Sequence, residues 1–139
     1  MNDPEALTIV IGYDGSEAAR RGLARVRGLG PRVGRVIVVA VAPDLRSAGL
    51  SSELTGGEFD GPRLGEEASA LLDAAEDPRV ETRTMAGDPA AVLVEVAREA
   101  AADLLVVGRR GSDFVARTLL GSVAQRIVQQ APCDVLVVA

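Results

Sequence analysis

The sequence has no lysine, no histidine and no tryptophan, a single cysteine, and only 2% aromatic residues. Each absence closes off a class of chemistry. Without lysine there is no Schiff-base amine and no Walker-type phosphate lysine. Without histidine there is no serine–histidine dyad and no imidazole metal site. Cys133 stands alone and cannot form an internal disulfide, so a reducing, cytoplasmic setting is expected. The opening residues, MNDPEALTIVIGYDGS, carry acids where a signal peptide carries bases. No apolar run approaches the ~20 residues of a membrane-spanning helix, so a soluble chain is expected.

What is present narrows the reading further. All 15 basic residues are arginine, and the net charge is −5. An acidic chain with scattered arginines is a poor match to nucleic acid or to an anionic membrane, and neither is expected as a partner. The length suits one domain spanning residues 1–139. With 47% apolar residues and so few aromatics, the core must be built from Val, Leu, Ile and Ala, as in a buried parallel sheet.

Five strand patterns alternate with four helical ones. TIVIGYD (8–14), VIVVAVA (36–42), the alternating VETRTMA (80–86), LLVVG (104–108) and the final DVLVVA read as strands. Ser16 is the expected N-cap of a helix whose inner face carries Ala19, Leu23 and Val26. GEEASALLDAAE predicts a second helix with Ala68, Leu71, Leu72 and Ala75 inward. Asp88-Pro89 opens a third, running to about Ala101. SVAQRIVQQA predicts a fourth, with Val123, Ile127 and Val128 inward. The segment between Pro43 and Pro62, rich in Gly, Ser and Pro, reads as a long functional loop. The alternation predicts an α/β fold: a parallel sheet with helices on both faces, the 80–86 strand at an edge.

The most informative stretch is GRRGSDFVARTLLGS, from Gly108 to Ser122. It joins a strand to a helix, at the end of an α/β sheet where ligands bind. Gly108 offers bare backbone at the strand end. Gly111 suits a tight loop, and Gly121 and Ser122 open a helix whose first N–H groups lack internal partners. Ser122 adds a hydroxyl. The combination describes an anion site, with phosphate the expected anion. Asp14, at the end of the first strand, reads either as a helix-entry turn residue or as a carboxylate for a ribose hydroxyl or a magnesium ion. Glu66, Glu67, Asp73, Glu76 and Asp77 read as a solvated helix face, and Cys133 as packed rather than reactive.

The spacing G-x2-G-x9-G-S, followed by VAQRIVQQAPCDVLVV, resembles the universal stress protein family in its ATP-binding form. The start, IVIGYDGSEAARRGL, resembles that family's first strand and Asp-x-Ser turn. The resemblance implies a five-stranded parallel sheet of order 3-2-1-4-5, Rossmann-like, with ATP at the carboxyl ends of strands 1 and 4. It implies that Gly12 and Asp14 lie beside the ribose and adenine, Val41 beside the adenine, and Val107 and Gly108 along the ribose. Gly111, Gly121, Ser122, Val123 and Ala124 would surround the phosphates. It further implies a homodimer through the last strand, Val135 to Ala139. Two positions depart from the family pattern: Asp134, where proline is common, and Ala124, where a hydroxyl is frequent. Arg109 and Arg110 lie within the phosphate loop. The function implied is a regulatory ATP-binding module in stress response. The alternatives are a slow ATPase or phosphotransferase, and a dimeric scaffold without nucleotide.

Overall fold

The computed structural model describes residues 6–43, 60–73, 77–109 and 120–139. In chain order the elements are β1 (Leu7–Gly12), α1 (Glu17–Gly28), a short 3-10 turn (Gly30–Arg32), β2 (Val33–Pro43), α2 (Gly61–Leu71), β3 (Val80–Gly87), α3 (Pro89–Glu99), β4 (Leu104–Gly108), α4 (Ser122–Gln130) and β5 (Asp134–Val138). All strand pairs are parallel, and the order is β3-β2-β1-β4-β5. This is the expected sheet.

Two apolar layers sandwich the sheet. One face carries Val10, Ile37, Val39, Leu105 and Val107 against Leu93, Val96 and Ala97 of α3 and Ala124 and Ile127 of α4. The other carries Ile9, Ile11, Tyr13, Val36, Val38 and Val106 against Ala19, Leu23 and Val26 of α1 and Ala68 of α2. Alternate residues of each central strand thus face opposite layers, which is why these strands read as continuous aliphatic runs. Ser16 caps α1 by accepting from the Ala19 N–H at 3.2 Å, and Asp88 caps α3 by accepting from Ala91 at 3.1 Å.

Three local expectations need correction. α2 begins at Gly61, not Gly65, with Asp60 as its N-cap and Pro62 inside its first turn. Its fully buried positions are Gly61, Gly65 and Ala68; Leu72, as expected, is half-buried against the core, but Leu71 is 39% exposed. The reason is close approach: a Cβ at Gly61 would lie 2.2 Å from Thr84 Cγ2, and one at Gly65 3.3 Å from Thr82 Cβ. Small residues set the closest approach to β3, with Leu64 and Leu72 packing half-buried beside them. In α4 Ala124 and Ile127 are buried and Val123 is half-buried against the same layer, as expected, but Val128 is 54% exposed. Val128 is one residue past Ile127, about 100° around the helix, and α4 presents only a narrow stripe to the sheet. β2 starts at Val33 rather than Val36, because a register shift beside Leu7 lets β1 and β2 pair earlier. Ala75 and residues 44–59 of the expected loop lie outside the described residues.

Candidate functional site

β1 and β4 are neighbours at the middle of the sheet, and their chains leave it toward opposite faces. β1 feeds α1, which packs on the layer of Ile9 and Ile11, and the segment after β4 feeds α4, which packs on the layer of Val10 and Leu105. Beyond their carboxyl ends lies the crevice that this strand order creates.

At that crevice Gly12 ends β1. A Cβ there would meet Leu93 Cδ1 at 2.8 Å and Val107 Cγ1 at 3.6 Å. The missing side chain therefore admits α3 as well as leaving backbone open at the strand end. Tyr13 continues the ladder, its N–H donating to the Val39 carbonyl at 3.0 Å. Asp14 is exposed, and its Oδ1 accepts the Ser16 N–H at 2.9 Å, a turn that leads into α1. Val41 sits two residues beyond Val39, the partner of Gly12, and is half-buried against the α3 layer.

On the β4 side Val107 is buried and Gly108 half-buried. Arg109 then joins three elements through its backbone. Its N–H donates to the Val138 carbonyl at 2.6 Å, and its carbonyl accepts the Gly121 N–H at 2.7 Å. Gly121 is the N-cap of α4 with extended backbone and no side-chain cap. Its own N–H is thus engaged, and the helix donors directed outward are those of Ser122, Val123 and Ala124, which have no carbonyl one turn back. Ser122 is exposed and Val123 half-buried. Ala124 is 2% exposed and sits in the apolar layer, so its methyl is core and only its backbone can face an anion. A hydroxyl there would enter the same apolar layer. Gly111 lies outside the described residues, as does Arg110.

A phosphate fits this end of the molecule. Among the described residues, Arg109 Nε is the one buried side-chain nitrogen or oxygen without a hydrogen-bond partner. A buried cationic donor with no acceptor is costly, and an anion would satisfy it. The backbone carbonyl of the same residue holds the Gly121 N–H, and Gly121 caps a helix whose first N–H groups also favour negative charge. Among the described residues no cluster of three or more acidic, cysteine or histidine side chains could hold a metal.

The profile of the "Universal stress protein family" matches residues 6–139. The chain belongs to the universal stress protein family. It is 35% identical over 140 residues to a universal stress protein of Methanocaldococcus jannaschii, covering 94% of this chain and 80% of that protein. One from Mycobacterium tuberculosis is 33% identical over 138 residues, covering 94% of each chain. A universal stress protein solved in complex with cAMP superposes with a TM-score of 0.71 at 30% identity, covering 96% of this chain and 97% of that one.

The Tyr13 hydroxyl escaped the sequence reading, and Glu67, expected on a solvated helix face, is half-buried instead. Tyr13, 2% exposed, donates its hydroxyl to Glu67, and burial together with that bond pushes its pKa up to about 12. Glu67 also takes Arg20, at 2.9 Å, and its carboxyl is held below the usual range by the Tyr13 hydrogen bond and the guanidinium. The one available signal was that the chain's only tyrosine directly precedes Asp14. Cys133 is half-buried, and burial followed by Asp134 and Asp103 pushes its thiol pKa up, which disfavours a thiolate nucleophile. No helix among the described residues is long and apolar enough to cross a membrane.

Proposed function

We propose that the protein is a regulatory nucleotide-binding module of the stress response. On this reading it is cytoplasmic and takes ATP, with magnesium, at the carboxyl ends of β1 and β4. The observation that carries this is Arg109, whose buried Nε has no acceptor and whose backbone carbonyl holds the Gly121 N–H at the start of α4. The cAMP complex of a relative at 30% identity supports an adenine nucleotide, and the glycine-serine spacing supports a phosphate chain. Gly12 and Asp14 would lie by the ribose and adenine, Val41 by the base, and Val107 and Gly108 along the ribose. Gly121, Ser122, Val123 and Ala124 would meet phosphate oxygens, the last two through backbone N–H groups. Asp14 would be the carboxylate that helps hold magnesium. The sequence has no histidine or lysine to act as a general base, which favours binding over turnover.

The same reading includes a homodimer through Val135 to Ala139. β5 is the sheet's outer strand, with Leu136 36% exposed along it, and pairing with a second copy would protect that edge.

The test begins with protein purified without added nucleotide, denatured, and its supernatant resolved by ion exchange and mass spectrometry. Near-stoichiometric ATP is the expected result. An empty supernatant, followed by no heat of binding at millimolar ATP, would overturn the reading.

A further inference from the structure

Tyr13 stands between Gly12 and Asp14, both assigned above to the nucleotide, yet its side chain goes the other way. The ring lies in the apolar layer beneath α1 and α2, with Ile11, Leu23 and Ala68. Its hydroxyl donates to Glu67 Oε1, in the middle of α2. That same oxygen accepts Arg20 Nε at 3.1 Å and lies 2.9 Å from Arg20 Nη2 on α1. At its other end Tyr13 is held by the bond from its N–H to Val39. One residue therefore continues the β1–β2 ladder past Gly12 and also grips α2. A phenylalanine would fill the same space, so the hydroxyl adds a connection that packing alone does not require. The second tie between these helices is Arg27–Asp73 at 3.6 Å, between side chains 61% and 82% exposed, and such a pair contributes little.

We propose that Tyr13, Glu67 and Arg20 form a latch that couples the docking of α2 to occupancy of the nucleotide site, with Tyr13 as a positioning residue. The inference rests on the nucleotide reading above. A ligand against Gly12 and Asp14 fixes the end of β1, and with it the Tyr13 backbone. The hydroxyl passes that restraint to Glu67. By reciprocity, a docked α2 strengthens nucleotide binding by the same factor. Occupancy then sets how firmly the α2 surface is presented to a partner.

Hydrogen exchange of residues 61–71, with and without saturating ATP, tests this in wild type, Tyr13→Phe and Glu67→Gln, with ATP affinity measured by calorimetry on each. In wild type, ATP is expected to slow exchange in α2 by about tenfold, while in both variants the effect falls below about twofold and the Kd rises by the matching factor. A merely structural role would speed exchange equally with and without ATP and leave the Kd unchanged, which overturns the latch. Wild type that binds ATP without protecting α2 overturns it as well. Wild type that binds no ATP removes the nucleotide reading itself, and calorimetry separates that failure from the others. If Tyr13→Phe does not fold, as judged by circular dichroism, Glu67→Gln decides, since Glu67 is at the edge of the apolar layer with its side chain 29% exposed.

Discussion

Arg126 Nη1 lies 2.8 Å from Asp88 Oδ1 and 2.7 Å from Oδ2, tying α4 to the first residue before α3. The two partners do unequal work. Asp88 also caps α3 through the Ala91 N–H, whereas Arg126 makes the ion pair alone, with both side chains nearly half exposed. Arg126→Ala is expected to cost less than ~1 kcal/mol. Asp88→Ala should cost ~1–2 kcal/mol because the cap is lost as well. Urea unfolding of the two variants measures the difference, and equal losses would contradict the division of roles.

Tyr13 is the chain's only tyrosine, so phenolate absorbance reads it alone. In the folded protein its midpoint is expected at about 12, against 10.0 for an unhindered phenol. The raised value favours the neutral hydroxyl in the fold. Its stabilising contribution is therefore complete below pH 10 and is lost as pH climbs toward 12. Glu67→Gln should lower the midpoint while leaving it above 10, because burial is the first cause of the shift and persists. An unchanged midpoint in Glu67→Gln would mean that the hydrogen bond contributes nothing.

The seating of α2 on β3 depends on missing side chains. Gly61→Ala places a methyl 2.2 Å from Thr84 Cγ2 and 2.5 Å from its Oγ1, and is expected to destabilise by ~1–3 kcal/mol. Gly28→Ala meets nothing within 4 Å at the end of α1 and should stabilise by up to ~1 kcal/mol. Chemical denaturation of both variants tests the contrast.

The edge strand offers a fourth check, on assembly. Leu136→Glu puts a charge on β5 at a position already 36% exposed, so the fold should tolerate it within about 1 kcal/mol. The proposed dimer should not tolerate it. Light scattering is expected to give a dimer for wild type and a monomer for the variant. A wild-type monomer at high concentration would refute the proposed pairing.

Arg109 gives a prediction specific to the phosphates. Arg109→Gln removes the buried cation and is expected to weaken ATP by at least about tenfold, in the range of a charged hydrogen bond. Adenosine, which has no phosphate to meet it, should bind the variant and the wild type alike. Equal losses for both ligands would show that Arg109 acts on the fold rather than on charge.

The five strands were readable because their residues are aliphatic on both faces, or alternate cleanly in β3, and the caps because Ser16 and Asp88 stand directly before apolar periodicity. Gly108, Gly111, Gly121 and Ser122 suggested an anion motif because glycines and a hydroxyl at fixed spacing are a local feature, and the phosphate proposal rests on that spacing. The bond from the Gly121 N–H to the Arg109 carbonyl was not legible. Neither was the Tyr13–Glu67 bond, whose partners are 54 residues apart. The burial of Ala124 escaped as well, because alanine is equally at home on a surface and in a core. The α2 face was misread for a related reason. Leucines dominate its pattern, but contact with Thr82 and Thr84 selects the glycines.

Local chemistry thus determined the elements, their order and the motif between β4 and α4, because backbone preference and side-chain periodicity act over a few neighbouring residues. Tertiary structure alone decided that glycines of α2 make the closest approach to β3, that Arg109 Nε is buried, that the Tyr13 hydroxyl meets Glu67, and that the Gly121 N–H is already taken. Those outcomes depend on the distance between surfaces brought together from remote parts of the chain, and no spacing within the sequence encodes that distance directly.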